Sequence, residues 1–409
     1  MPYLLDTNIY GVGKTDWAIK NFHSYELSTN NGTSYNSYLI KSGKNILIDT
    51  VKHNFAAELI RDIAELIDPA TLDYVIINHL EPDHAGSLTE IMQLNPNATV
   101  IVSAKGAESI GRFHPASAGW KVRVVRAGET LTLGEKKFTF IEARMLHWPD
   151  SMFTYLEPDN ILFSNDAFGQ HFASEFHFND LVDQEKLHFE SLKYFANILT
   201  PFCNQLLRKI NALEQLQLKI KMIAPSHGVI WRDDPSQIIN NYSYWAQQNP
   251  ESEVLILYDS LWGSTRQMAE AISEGISEQK IPNKVIYLAN SDRSDILADV
   301  FTAKALIIGS STINNSVQSS LPPLLNDIKA LRFKNKLGFA FGTYGWSGEA
   351  VRIIEENFAA CDFPLIADGF RVKWRATAEE LQQCRDFGKR IAEAVFENKF
   401  HLNGNSEPA

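Results

Sequence analysis

Asn78-His79-Leu80-Glu81-Pro82-Asp83-His84-Ala85-Gly86 sets two histidines and two carboxylates within six residues, directly behind the apolar run Tyr74-Val75-Ile76-Ile77. A strand that feeds a short loop dense in such side chains is a common frame for a metal site. In an extended stretch His79, Glu81 and Asp83 fall on one side, and His84 turns in from the neighbouring position. Four donors are more than one ion usually takes from a single loop, which points to a binuclear site. All are nitrogen or oxygen donors. They suit iron, manganese or zinc and offer nothing to a thiolate-loving metal.

Three further residues extend the set. His147 stands in Met145-Leu146-His147-Trp148-Pro149-Asp150-Ser151, Asp166 in Leu162-Phe163-Ser164-Asn165-Asp166-Ala167-Phe168-Gly169, and His227 in Ile223-Ala224-Pro225-Ser226-His227-Gly228. Each follows an apolar strand, where loops converge on a site. A lone strand-end histidine is more often structural, and Asp166 alone reads as a turn or cap residue. Taken together, the order and loop context of all seven favour one joint site. His171, close after Asp166, and Tyr194, on the helix that follows, are candidates for its wall. His23, His53, His114, His177, His188 and His401 lack such context and read as surface or core polar residues.

The chain has 409 residues, 38 Lys and Arg against 49 Asp and Glu, and a formal net charge of −11. That length favours two domains. The acidic balance, without a Lys/Arg run, argues against nucleic acid as a partner. Cys203, Cys361 and Cys384 form no CxxC and read as idle thiols. No basic-then-apolar leader opens the chain, and no stretch approaches the ~20 apolar residues of a membrane span. A soluble, cytoplasmic protein is expected.

Up to about residue 245, short apolar runs alternate with turns and some helices. Strands are predicted at 38–40, 45–48, 74–77, 99–102, 122–125, 138–141, 161–163 and 222–224, with helical periodicity at 55–63 and 187–199. This pattern implies a layered α/β domain. The polar stretch 247–253 reads as a linker. Behind it, 254–258 is an uninterrupted apolar strand of the kind buried on both faces. A helix over 265–278 and strands at 284–288, 305–309 and 337–341 continue a βαβ series, predicting a doubly wound parallel sheet. The last helix is expected over 378–396, with 398–409 as a loose tail. The expected domains are 1–250 and 251–409.

The second domain carries its own ligand signal. Asp259-Ser260-Leu261-Trp262-Gly263-Ser264-Thr265 joins a strand to a helix. Hydroxyls and backbone N–H groups at a helix start form an anion site. The Walker pattern is absent, and no cation stands between Ser260 and Thr265. An ordinary helix cap accounts for one hydroxyl there but not for three. Two more loops follow the third and fourth strands of the domain: Ser310-Ser311-Thr312-Ile313-Asn314-Asn315 and Gly342-Thr343-Tyr344-Gly345-Trp346-Ser347-Gly348. Their glycines let backbone approach a planar ring, and Tyr344 or Trp346 is placed to stack on it.

The seven-residue set resembles the metallo-β-lactamase superfamily, whose loop normally reads His-x-His-x-Asp-His. Glu81 stands where the second histidine would be. A carboxylate there adds negative charge and a hard oxygen donor, which shifts preference from zinc toward iron. That substitution, with the 147–151 and 164–166 phrases, resembles the flavodiiron proteins. The hydroxyl-rich loop and the Tyr-Gly-Trp-Ser-Gly loop resemble their flavodoxin domain. The likeness spans roughly residues 10–396.

The resemblance implies an N-terminal metallo-β-lactamase-like αββα sandwich and a C-terminal flavodoxin-like doubly wound sheet. It implies one iron held by His79, Glu81, His147 and bridging Asp166, and a second held by Asp83, His84, His227 and the same Asp166. It implies FMN in the second domain, and reduction of O2 to water, of NO to N2O, or both. A head-to-tail homodimer, or a dimer of such dimers, would bring the FMN of one subunit near the irons of the other. The electron donor is external: a rubredoxin, a reductase or F420H2. Two rival readings are a binuclear metal hydrolase of the thioesterase or glyoxalase II kind and a flavin carrier with a vestigial metal domain.

Overall fold

A computed structural model describes residues 1–24 and 26–403, with the backbone alone over 398–403. It resolves into two compact units, Met1–Phe195 with Phe202–Ala246, and Ala196–Pro201 with Gln247–Ala409.

The first unit is built on two sheets. A seven-stranded sheet runs in the order Tyr3–Asp6, Ile9–Gly11, Tyr38–Lys41, Asn45–Ile48, Tyr74–Ile77, Thr99–Ser103, Lys121–Val125. A five-stranded sheet is ordered Thr130–Leu133, Lys136–Glu142, Met152–Glu157, Ile161–Asn165, Met222–Pro225. Alternate side chains from both sheets meet in one core. Ile40, Ile46, Ile48, Ile76 and Ile101 from the first interleave with Phe138, Phe140, Leu156, Ile161 and Phe163 from the second. Strand periodicity leaves the opposite faces free to carry helices such as Ala56–Ala64 and Cys203–Gln215. This is the predicted αββα sandwich.

The second unit has a parallel five-stranded sheet in the order Asn283–Tyr287, Glu251–Asp259, Ala303–Ser311, Leu337–Tyr344, Phe370–Lys373. This is the 2-1-3-4-5 order of flavodoxin-like sheets, whose ligands bind beyond the carboxyl ends of the strands. Ile256, Ile307, Phe339 and Phe341 pack with Met268, Ile272 and Ile276 of the helix Ser264–Glu278 and with Ile391 and Val395 of the last helix.

Four local expectations change. Asp83 and His84 lie on a helical turn, Pro82–Ala85, because Pro82 pre-sets helical φ behind Glu81 at the cap position. The predicted helix over 187–199 is α-helical only over Gln184–Tyr194, and Phe195–Leu199 widens into a π-helix. Within the presumed linker, Glu251 opens the strand Glu251–Asp259, since it pairs with Ala303 across a bulge and ladder bonding overrides its polar surroundings. The last helix spans Ala378–Asn403, past the expected end, because no glycine or proline stands between Phe396 and Gly404 to stop it. The remainder of the expected tail, 404–409, and the His401 side chain lie outside the described residues.

Candidate metal centre and flavin cleft

His79, Glu81, Asp83, His84, His147, Asp166 and His227 converge in the first unit, and all but His147 are buried. The donor atoms of His79, Glu81, His147 and Asp166 lie within 4.8 Å of one another, as do those of Asp83, His84 and His227. Asp166 faces both groups. Its Oδ2 lies 3.8 Å from His79 Nε2 and 3.6 Å from His147 Nε2, and its Oδ1 lies 2.9 Å from His84 Nε2 and 3.5 Å from His227 Nε2. Glu81 Oε2 is 3.1 Å from His79 Nε2 and 3.4 Å from His147 Nε2, while Asp83 Oδ2 is 3.0 Å from His227 Nε2.

The surroundings aim these donors. His79 Nδ1 donates to Asp150 at 3.0 Å, and Asp150 also accepts from Leu80 N at 2.8 Å. His227 Nδ1 donates to the Ser34 carbonyl at 2.6 Å. Both bonds leave Nε2 as the inward, metal-type donor. Beneath the loop, buried Asp49 accepts from Asn78 N at 2.7 Å, from Asn78 Nδ2 at 3.1 Å and from Asn165 Nδ2 at 3.4 Å. That network ties the ends of three strands under the site. Gly228 follows His227 at φ 75°, where an added Cβ would stand 1.8 Å from Gln170 Oε1. Only glycine fits that turn.

Electrostatics agree with a cation site. Burial pushes the Glu81 carboxyl up, yet His147, His23 and His79 together hold it far below the usual carboxylate range. Burial likewise opposes ionisation of Asp166, and His84, then His147 and His79, pull it well down. His84 is pushed down by burial and drawn up by Asp166 and Asp83, to about 9. Asp83 Oδ1, Asp166 Oδ2 and His84 Nε2 are buried with no hydrogen-bond partner. Orphaned donor atoms of this kind, converging in two groups, fit two metal ions sharing one carboxylate.

His171 and Tyr194 stand beside this cluster. The His171 ring centre is 4.9 Å from that of His227 and 5.0 Å from that of Tyr194. His171 Nδ1 bonds Thr33 Oγ1 at 2.8 Å, its Nε2 is buried without a partner, and burial followed by His227 keeps the ring well below the usual histidine range. At this metal centre the sequence reading missed two residues. His23, read as an ordinary polar residue, puts Nε2 2.6 Å from Glu81 Oε1. Asp150 lay within a quoted phrase but received no role. A carboxylate directly after the Trp148-Pro149 pair was the available signal for Asp150, whereas nothing local marks His23.

In the second unit, the three predicted loops meet at the carboxyl edge of the sheet. Gly263, at φ 85°, turns the chain into the helix Ser264–Glu278. Its N–H donates to Ser260 Oγ at 3.0 Å. Thr265, Ser311 and Thr343 form a buried hydroxyl triangle of 2.9, 2.9 and 3.0 Å. A cleft of about 310 Å³ lies above it, lined by Leu261, Trp262, Ser264, Ser311, Thr312, Thr343, Tyr344, Gly345, Trp346 and Trp374. Trp262, Trp346 and Trp374 are 96, 75 and 63 % exposed. Trp374, which the sequence reading did not select, packs where a Cβ on Gly345 would stand 2.6 Å from its ring. Ile313, Asn314, Asn315, Gly342, Ser347 and Gly348 do not line the cleft. Asn315 instead braces it, donating to Ser347 Oγ at 3.3 Å and Glu349 Oε1 at 3.1 Å. Hydroxyls at a helix start beneath aromatic walls fit a phosphate-bearing planar cofactor.

Fold and site together define a two-domain metalloflavoprotein: a β-lactamase-like domain with a binuclear ligand set, and a flavodoxin-like domain. The family model described as ODP family beta lactamase matches residues 33–228, and the flavodoxin model matches residues 256–388. The nitric oxide reductase of Moorella thermoacetica is 43% identical over 395 residues, covering 96% of this chain and 99% of that one. The anaerobic nitric oxide reductase flavorubredoxin of Klebsiella pneumoniae is 44% identical, covering 96% and 82%. Among solved structures, the rubredoxin oxygen:oxidoreductase of Desulfovibrio gigas matches with a TM-score of 0.94 at 35% identity, covering 98% of this chain and 100% of that one. The flavodiiron protein of Giardia intestinalis matches with a TM-score of 0.92 at 33% identity, covering 97% of each chain. The chain belongs to the flavodiiron protein family. The flavodoxin domain implies FMN, and the family implies a non-haem diiron site.

Proposed function

We propose that this protein is an oxidoreductase that reduces O2 to water, NO to N2O, or both. Residues 1–250 would form its diiron domain and 251–409 its FMN domain. The observation that carries the reading is Asp166, whose two oxygens face two separate groups of donors. His79, Glu81 and His147 would hold one iron with it, and Asp83, His84 and His227 the other. Two irons and one FMN supply electrons in the numbers these reactions use, four for O2 to water and two for a pair of NO to N2O.

The chain's own residues do the positioning. Asp150 and the Ser34 carbonyl fix the tautomers of His79 and His227, and His23 restrains Glu81. His171, kept neutral by burial, and Tyr194 wall the space beside His227. In the second domain the hydroxyl triangle preorganises the cleft for FMN.

The metal hydrolase reading loses ground on two counts. Glu81 replaces a neutral ligand with a carboxylate, and the named relatives are reductases or oxidoreductases. A vestigial metal site is disfavoured by the full ligand set. We further propose a head-to-tail homodimer, or a dimer of such dimers, in the cytoplasm, with electrons delivered by an external donor. Indole surface exposed around the flavin cleft supports a covering partner. No helix among the described residues is long and apolar enough to cross a membrane.

Anaerobic purification followed by iron and flavin quantification, then parallel O2 and NO consumption by the reduced protein, tests the proposal. A yellow protein with two irons and one FMN per chain that consumes either gas supports it. A colourless zinc protein that cleaves thioesters overturns it.

A further inference from the structure

The amino end of the second unit's sheet, opposite the flavin cleft, holds a cleft of its own. The strands Ala303–Ser311 and Leu337–Tyr344 start beside it and finish at the flavin cleft. Its volume is about 440 Å³, and Lys329, Arg332, Lys334, Asn335, Cys361 and Asp362 are among its lining residues. The three cations are exposed, and Asp362 is the only acid among the described lining residues. Two further cations, Lys304 and Lys336, back this lining and are buried. Lys304 Nζ donates to the Asn335 carbonyl at 3.0 Å. Lys336 Nζ donates to the carbonyls of Phe301 at 3.0 Å and Ala303 at 2.7 Å, and stands 5.9 Å from the ring centre of Phe333, another lining residue.

Among the described residues, none of these five cations pairs with a carboxylate. A buried ammonium is costly unless an anion answers it. Burial, then Lys304, press the Lys336 amine down to about 7. Glu253 acts on Lys336 only through space, and its Oε1 accepts from Thr302 Oγ1 at 3.3 Å. Cations near a helix end often do no more than answer the helix dipole. The helices Leu321–Ala330 and Glu349–Ala360 both stop at this cleft, and Lys329 stands in the last turn of the first. That role explains Lys329. Each helix end carries about half a negative charge, so the two ends offset about one cation of the five. Arg332 lies past the helix at φ 56°, a left-handed turn in which glycine is the usual residue. An arginine thus stands where folding alone favours glycine.

We propose that Lys329, Arg332 and Lys334 bind a compact, multiply charged phosphate anion, either free diphosphate or the phosphate tail of a nucleotide. A guanidinium fork and two ammonium groups suit phosphate oxygens. The one aromatic ring in the lining, Phe333, is buried and offers no open face to a base, so recognition rests on the phosphates. The volume lies in the range of small-molecule sites. The chain's net charge of −11 opposes a larger polyanion such as nucleic acid. The loop is fixed in advance, since Asn335 Nδ2 donates to the Gln248 carbonyl at 3.0 Å. The site stands whether or not the reductase reading holds.

The test uses the full chain loaded with FMN and iron. Sodium diphosphate, ADP and orthophosphate are titrated in turn, anaerobically, by calorimetry in a phosphate-free buffer. The native chain should bind one diphosphate, more tightly than orthophosphate, and salt should weaken binding. Arg332→Gly suits the left-handed turn, so it should unfold at the same denaturant concentration as the native chain or higher. It should nonetheless bind diphosphate about tenfold more weakly. Lys329→Gln/Lys334→Gln should weaken binding at least as much. ADP binding tighter than diphosphate identifies a nucleotide as the ligand, and ADP binding no tighter identifies diphosphate itself; either result supports the site. A native chain that binds neither overturns it, as does unchanged diphosphate affinity in Arg332→Gly. Loss of iron or FMN during the titration would place the anion at those centres and overturn it as well.

Discussion

His23 Nε2 lies 2.6 Å from Oε1 of Glu81, the residue at which this chain departs from the usual superfamily loop. Glu81 Oε2 meanwhile faces His79 and His147. One oxygen is thus held and the other is presented. The hydrogen bond comes from a hairpin, Asn21–Phe22 with Leu27–Ser28, whose tip carries His23 at φ 52°. Groups that orient a metal ligand typically change affinity by about 10–100-fold when lost. His23→Leu should therefore weaken iron retention by about tenfold while leaving the fold intact, since His23 is partly exposed. Competition with a ferrous chelator, with circular dichroism as the control, checks this. Identical chelation curves would show that the contact restrains nothing.

Asp150 makes the equivalent contact on the other side of the same group. Its carboxylate accepts from His79 Nδ1 and from Leu80 N, so it fixes both ring and backbone. Asp150→Asn keeps the shape but can offer only one oxygen where two donors now converge. Iron affinity should drop by about 10–100-fold, chiefly at the ion held by His79. Retention of one iron per chain in place of two, measured by elemental analysis after dialysis, is the expected outcome. Full occupancy after the same dialysis would refute it.

Sequence and structure agree where a signal is local. The alternating and continuous apolar runs marked the strands, because burial on one face or on two leaves different periodicities. The ligand loop was legible because its donors are crowded, and Glu81 could be weighed as a charge change. What stayed hidden depends on distance in space. His23 reaches Glu81 across 58 residues, and Asp150 reaches His79 across 71, so neither pairing has a spacing to read. Trp374 was missed because it follows the last strand, outside the three loops expected to hold the flavin. The helical turn at Pro82–Ala85 was misread as extended, although Pro82 at a first helical position signalled it.

The triangle of Thr265, Ser311 and Thr343 gives a prediction for the second domain. Each hydroxyl belongs to a different element, the helix Ser264–Glu278 or the strands Ala303–Ser311 and Leu337–Tyr344, and all three are buried. Such rings share donors and acceptors, so breaking one member leaves the others short of a partner. Thr343→Val removes two of the three bonds with little change in volume. A loss of about 1 kcal/mol in the ordering of the loops corresponds to roughly fivefold weaker FMN binding. Fluorescence titration of flavin-free protein with FMN measures it. The double variant with Ser311→Ala should cost less than the two single changes added together. Strict additivity, or unaltered FMN affinity, would show that the loops are held by other contacts.

Lys336 yields a pH dependence that can be isolated from both sites. Its ammonium is fully buried, donating to the carbonyls of Phe301 at 3.0 Å and Ala303 at 2.7 Å. Burial first, and Lys304 second, depress the amine to about 7. The unfolded chain keeps its lysine near 10.5. Between those values the unfolded state binds more protons, so this residue's contribution to stability rises with pH. Below about 7 both states are protonated and the contribution is flat, at its least favourable. Within the window the slope is about 1.4 kcal/mol per pH unit. Lys336→Met lacks this dependence. The difference in unfolding free energy, native minus variant, should therefore grow steadily from pH 7 to pH 10. Denaturant titrations of the C-terminal transition at stepped pH measure it. Parallel profiles for the two proteins would mean that Lys336 keeps an ordinary amine in the fold.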